Sequence, residues 1–257
     1  MDSLTPTGLN LERDCQNTMN SLSYQIIVQN LSQTAQYFYV FQKRATFGPS
    51  TSTIYCCSLG CQNVGNYVSS GAQIVFGLDK QIYAGAISTA APPPPPSLST
   101  ASVSSGTSRL LVSNATTKQA ISLTTGTGSN PPTNFTELTL SPLGLSAPIY
   151  QSGIPVGAFA INVPPYTPAP LPALFSGVAA VNTNQAVILS SFVAPVPNAT
   201  MSCSPTQIFF VKTGYQPVGS LLTYDESNSA RCDFTTGFAT IIATYNSNGT
   251  FSTTGGS

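Results

Sequence analysis

The side chains of this chain that carry usable chemistry are tyrosines, a few lysines and arginines, eight carboxylates and six cysteines. Histidine and tryptophan are absent. Without imidazole, a Ser-His-Asp or Cys-His relay has no proton carrier. A His-containing zinc or iron site is excluded for the same reason. Cys56, Cys57 and Cys61 cluster in the sequence, but adjacent cysteines followed by a four-residue step depart from Cys-x2-Cys metal spacing. No metal site is read from them. Cys203 and Cys232 are either an oxidised pair or two small buried apolar side chains. There is no G-x-x-x-x-G-K-S/T loop, and no G-x-G-x-x-G joins a strand to a helix, so no nucleotide and no other cofactor is expected.

The carboxylates read as structural. Asp225-Glu226, followed by Ser227 and Asn228, has the composition of an exposed turn rather than a general base. Asp79-Lys80 reads as a turn between two strands. Arg231 and Asp233 fall on one face of a strand, two residues apart, and suit an ion pair on the solvent side.

The aromatic residues are more suggestive. In the run Tyr37-Phe38-Tyr39-Val40-Phe41-Gln42-Lys43-Arg44, strand alternation places Tyr37, Tyr39, Phe41 and Lys43 on one face. Phe38, Val40, Gln42 and Arg44 take the other. An aromatic wall ending in a cation suits a pocket for an apolar molecule with one polar group. Tyr83, Tyr166 and Tyr215 are candidate hydrogen-bond donors at its mouth. A plain sandwich core with a basic rim accounts for the same pattern.

The tools left to such a site are shape, desolvation and neutral donors. They suit the folding of an apolar substrate into a near-attack shape, with a donor to a carbonyl. The expected function is therefore binding of an apolar small molecule between β-sheets. The chemistry it would support is cofactor-independent cyclisation or isomerisation, of the pericyclic, Diels–Alder type found in secondary metabolism. The alternative is a non-enzymatic secreted or surface β-sandwich that binds carbohydrate or protein. Missing tryptophan weakens the carbohydrate version, although tyrosine can stack in its place. A closed apolar cavity of about 300 Å³ or more separates the two readings.

Composition narrows the partners further. The chain has 257 residues with eight charges of each sign, for a net charge of zero. Polyanions are held by clustered Lys and Arg, and here only Lys43 and Arg44 adjoin. No nucleic-acid partner is expected. A content of 41% hydrophobic residues with 6% charged residues is unlike a disordered chain. No run approaches 18 apolar residues, so no transmembrane segment is expected. Met1-Asp2-Ser3-Leu4-Thr5-Pro6 has neither a basic region nor an apolar core, which favours an intracellular location over a leader sequence. Six cysteines and five N-x-S/T sequons, at Asn30, Asn114, Asn134, Asn198 and Asn248, keep an extracellular location open. Oligomeric state is not legible.

These residues must be carried by short strands. β-Branched and aromatic runs broken by turn residues give the all-β pattern. Strands are predicted at 24–30, 37–44, 52–57, 71–78, 81–88, 109–113, 119–124, 154–163, 186–193 and 207–212. Others fall at 220–223, 231–234 and 238–245, with an Asn248-Gly249 hairpin returning through Phe251. The one helix candidate is 3–20. Residues 138–211 carry no charge and are rich in proline, which suits loops lying over a core. The expected fold is an all-β antiparallel β-sandwich or barrel-like fold with long Pro-rich loops. One domain, 1–257, is read, with the Pro/Ser-rich stretch 89–108 (Pro92 to Pro96 at its centre) as an interior loop. The alternative is two β units, 1–88 and 109–257.

Several of these pieces resemble the rhizosphere-expressed RhiA-like proteins of rhizobia. Tyr24-Gln-Ile-Ile-Val-Gln-Asn-Leu-Ser32, followed by Gln36-Tyr-Phe-Tyr-Val-Phe-Gln42, is similar to the first hairpin of that family. Gly157-Ala-Phe-Ala-Ile-Asn-Val163 is similar to an internal strand. Ile208-Phe-Phe-Val-Lys-Thr-Gly-Tyr-Gln-Pro-Val-Gly219, Ala230-Arg-Cys-Asp-Phe234 and Ala243-Thr-Tyr-Asn-Ser-Asn-Gly-Thr-Phe251 are similar to its end. The order of the pieces matches along most of the chain. The resemblance implies the β fold and no particular reaction. The chain departs from the family in lacking its tryptophans and histidines and in adding the Pro92–Pro96 run.

Overall fold

The computed structural model describes residues 23–49, 52–89, 113–126, 131–168, 173–181 and 186–256. The predicted helix 3–20, the Pro92–Pro96 run and most of the predicted strand 109–113 lie outside these residues. Among the described residues eighteen strands follow in chain order. The first seven are β1 (Ser23–Asn30), β2 (Gln36–Gln42), β3 (Thr46–Gly48), β4 (Tyr55–Cys56), β5 (Gly60–Val64), β6 (Ile74–Asp79) and β7 (Tyr83–Thr89). Next come β8 (Ser113–Ala120), β9 (Phe135–Leu140), β10 (Leu143–Leu145), β11 (Phe159–Val163), β12 (Ala173–Val181) and β13 (Val187–Val193). The last five are β14 (Ala199–Ser204), β15 (Ile208–Thr213), β16 (Ala230–Asp233), β17 (Thr240–Tyr245) and β18 (Phe251–Gly256). Among the described residues helix is limited to the turn Tyr67–Ser70 and a 3-10 turn at Phe234–Thr236. Among the described residues no helix is long and apolar enough to cross a membrane.

The strands form four sheets, ordered β18-β17-β1-β6, β16-β15-β2-β5, β4-β13-β12-β7-β8 and β10-β9-β11-β14-β3. Pairing is antiparallel except for β1 with β17 and β11 with β9, which run parallel. The fold is therefore all-β and sandwich-like, as alternation predicts. Strands from both sides of residues 90–112 hydrogen-bond within every sheet, for example β7 with β8 and β2 with β15.

The predicted first hairpin is corrected. β1 and β2 do not pair, because the Leu31–Ala35 turn carries the chain from one sheet to another. β1 instead lies between β17 and β6, and β2 between β15 and β5. Asn30 fixes this crossing. Its buried side-chain amide donates to Thr34 O (2.9 Å) and Val64 O (3.1 Å), and its Oδ1 accepts from Ser32 N (2.9 Å). Other boundaries move too. The predicted 119–124 strand is β8, which ends at Ala120, and 220–223 holds only the Cys57–Leu221 bridge.

The sheet β4-β13-β12-β7-β8 is covered on both sides. Phe175, Ile188, Leu189 and Phe192 face a first core with Ile26, Phe38, Val40 and Phe76 from the two four-stranded sheets. Ala84, Ala86, Val178 and Val193 face a second core with Phe159, Ile161 and Met201. Burial of each large apolar side chain contributes about 1.5–3 kcal/mol. A third, smaller cluster of Phe41, Ile208 and Phe210 lies on the other face of β2 and β15.

Candidate functional site

Alternation on β2 sends Phe38 and Val40 into the first core and Tyr37, Tyr39 and Phe41 to the opposite face. Cross-strand register sets their neighbours: Asn63 opposite Tyr37, Cys61 and Lys212 opposite Tyr39, and Phe210 opposite Phe41. The rings form a ladder. Tyr39 stacks on Phe41 with centroids 5.8 Å apart, and Phe41 stacks on Phe210 at 5.4 Å.

The segment after β15 folds over this ladder. Gly214 N donates to Tyr37 O (2.8 Å), Gly219 N to Ser58 O (2.8 Å) and Leu222 N to Cys56 O (2.9 Å). Ser58 Oγ donates to Gln216 O (3.0 Å). Leu222 and Tyr224 then cover Phe41, with Tyr224 edge-on at 5.7 Å. The Arg44 guanidinium lies 4.4 Å from the Tyr224 ring centroid. Arg44 N donates to Tyr224 Oη (3.2 Å), and the Tyr224 hydroxyl donates to Glu226 Oε1. Burial first, then Glu226, pushes the Tyr224 pKa up. Tyr39 is raised to about 12, by burial first and then by Asp225 and Cys61.

Only the far end of the ladder is open. Tyr37 is 44% exposed and Tyr215 60% exposed. Their rings meet edge-on, 5.0 Å apart with planes at 75°. Exposed Asn63 stands opposite Tyr37 on the same face. An aromatic ring on a sheet and one on the adjoining loop, flanked by a neutral amide, offer a stacking surface with a hydrogen-bonding edge.

No family model, curated protein or solved structure matches this chain.

The seven predicted site residues thus divide. Tyr37, Tyr39, Phe41 and Tyr215 come together. Lys43 lies just past the end of β2, and the cation over a ring of this group is Arg44. Tyr83 is on the doubly covered sheet. Its hydroxyl donates to Asp79 Oδ2 (2.6 Å), Lys118 Nζ sits 4.5 Å over its ring, and its pKa is raised to about 12, mainly by burial. Tyr166 packs against the second core and donates to Pro195 O (2.5 Å). Tyr224 and Arg44, which close the ladder, and Asn63 were not among the predicted site residues. The turn signal at Gly214-Tyr215-Gln216-Pro217 was visible, but not where the returning chain would land.

The cysteines occupy separate environments. Cys56 lies beside Arg44 and Ser191, and burial raises its thiol against the pull of Arg44. Cys57 enters the first core, and Cys61 is half-buried. Cys203 and Cys232 are free and lie in different cores, so they act as small apolar side chains. Among the described residues no three His, Cys, Asp or Glu side chains gather as a metal-binding group.

The pockets among the described residues include two small ones. One, of about 70 Å³, is lined by Val40, Gly60, Cys61, Val75, Phe76 and Val218. The other, of about 10 Å³ and lined by Gln42, Asp79, Gln81 and Phe209, has room for about one water. Ligand sites of drug-sized molecules usually hold about 300–1,000 Å³.

Proposed function

We propose that the protein is a non-enzymatic β-sheet scaffold that binds a neutral carbohydrate on its exterior, at Tyr37 and Tyr215. The observation that carries this reading is the exposed ring pair, Tyr37 on β2 and Tyr215 on the segment that the Gly214 N to Tyr37 O hydrogen bond ties to it. The faces of sugar rings stack on aromatic rings, and the hydroxyl rims take hydrogen bonds from amides such as Asn63. A net charge of zero matches an uncharged polymer better than an ionic one.

Binding of an apolar small molecule, with cyclase or isomerase chemistry, ranks second. Its chamber would have to open at the pocket beside Gly60, several times beyond the present 70 Å³. A secreted or surface location suits the carbohydrate reading. The RhiA-like resemblance adds a fold to either proposal and a reaction to neither.

Affinity electrophoresis through gels containing neutral polysaccharides tests the proposal. Retardation of the wild-type chain is expected, with at least a tenfold weaker effect for Tyr37→Ala or Tyr215→Ala, about 1.4 kcal/mol. Equal mobility of wild type and both variants in every polysaccharide would overturn it.

A further inference from the structure

The Tyr37 and Tyr215 rings form a corner. Their planes stand at 75° with centroids 5.0 Å apart, so the edge of one ring lies against the face of the other. Edge-to-face contact is a favoured geometry for two aromatic rings. It leaves exposed faces that meet nearly at a right angle. A flat body stacked on one ring has the other ring standing at its side, and it cannot stack on both.

Hydrogen bonds on either side of Tyr215 hold this corner. Gly214 N donates to Tyr37 O (2.8 Å), and Gln216 O accepts from Ser58 Oγ (3.0 Å). Ser58 is fully buried. Its N also donates to Ser220 O (3.0 Å), and its O accepts from Gly219 N (2.8 Å). A site built before its ligand arrives loses less affinity to ordering.

The corner is walled in two directions. Along β2 the next ring on the same face is Tyr39, and Gly214 passes beside it: a Cβ on Gly214 would lie 3.7 Å from Tyr39 Cε1. Lys212 stands opposite Tyr39 with its ammonium tied to Asp225 (2.6 Å). Further along, Leu222 and Tyr224 cover Phe41. Across the strands, toward β15, Tyr215 itself is the wall. In the opposite direction the face continues to exposed Asn63 on β5, the last strand of its sheet.

We propose that this corner takes the terminal sugar unit of a neutral glycan chain and turns away the interior of a flat, extended one, a proposal that rests on the carbohydrate reading above. The terminal ring lies with a face on one tyrosine and its rim against the other. The Asn63 side chain, with an acceptor oxygen and an NH2 donor, serves the hydroxyls on the side where the chain leaves. An interior unit of a flat chain has neighbours at both ends in its own plane. Placed over Tyr37, it would drive one of them into the Tyr215 ring or into the wall at Tyr39, Gly214 and Lys212.

Competition in affinity electrophoresis of the full chain tests this, with hydroxyethyl cellulose, galactomannan and soluble starch as probes. Each is used intact and after limited acid hydrolysis, which multiplies chain ends at constant mass. Hydrolysed to about one-tenth of its length, the polymer that retards the chain is expected to displace it at about one-tenth the mass concentration of the intact form, because ends and not mass set the occupancy. Retardation that Tyr37→Ala and Tyr215→Ala abolish, with intact and hydrolysed polymer competing equally by mass, keeps the carbohydrate reading and overturns the terminal-unit proposal. Absence of retardation by every probe overturns both.

Discussion

Asp225 shows how little ionisation this chain uses and where. Its carboxylate accepts from Lys212 Nζ (2.6 Å), Ser227 Oγ (2.8 Å) and Ser227 N (2.9 Å). The Lys212 hydrogen bond, followed by those from Ser227, pulls its pKa below the ordinary carboxylate range. A carboxylate with a depressed folded pKa stabilises the protein above its unfolded value of about 3.9, and that contribution fades as pH falls toward the folded value. Asp225→Asn is thus expected to be less stable than wild type at neutral pH, with the gap closing below about pH 4. Urea denaturation midpoints at a series of pH values check this. A gap that stays constant into acid would remove the assigned role. The turn at 225–228 was legible because Asp, Ser and Asn supply their own turn hydrogen bonds. Its ion pair with Lys212 was not, because it spans a loop whose path the sequence leaves open. The buried sequons are a similar case. Asn30 and Asn134 look like surface acceptors, yet both amides are fully buried and bond to backbone or Thr124.

At the scale of elements, β12 escaped prediction because it lacks a polar face. β12 is buried on both sides, so its apolar run has no alternation, and Ser176 and Gly177 look like a break. In the fold Ser176 Oγ donates to Gly85 O (2.9 Å), which satisfies a hydroxyl inside the sheet. Gly177 is required by close approach: a Cβ there would collide with Ser191 O and come within 2.8 Å of Phe192 Cα. The obstacles are backbone and cannot rotate away. Gly177→Ala is expected to cost about 1–3 kcal/mol, the range for overpacking a core. A urea titration giving stability within about 0.5 kcal/mol of wild type would show that the neighbouring strands separate more easily than this packing implies. β2 was legible because no serine or glycine interrupts its aromatic run, Tyr37 to Phe41. Both of its faces are apolar, and it lies inside its sheet between β15 and β5.

On the scale of the whole molecule, stability rests on layers of apolar side chains around a doubly covered sheet. Two ion pairs are formed among the described residues, Lys212–Asp225 and Arg231–Asp233, and both are open to solvent. Such pairs contribute little and are screened by salt. Raising sodium chloride to about 0.5 M is expected to change unfolding free energy by less than about 1 kcal/mol. A larger loss would mean that electrostatics holds the layers together, and urea denaturation at two salt concentrations decides it.

Composition and local alternation by themselves determined the all-β class, the turns, the two faces of β2 and the exclusion of imidazole chemistry. These follow from the residue and its nearest neighbours. Tertiary structure alone decided that β1 leaves its expected hairpin to lie parallel to β17, with Gln25 beside Thr240. It also decided that Tyr37 and Tyr215 meet while Tyr83 and Tyr166 lie elsewhere. A strand's pattern says which side is apolar but not which distant strand will cover it. That choice is made by contacts between residues far apart in the chain, where closure entropy and packing are settled together.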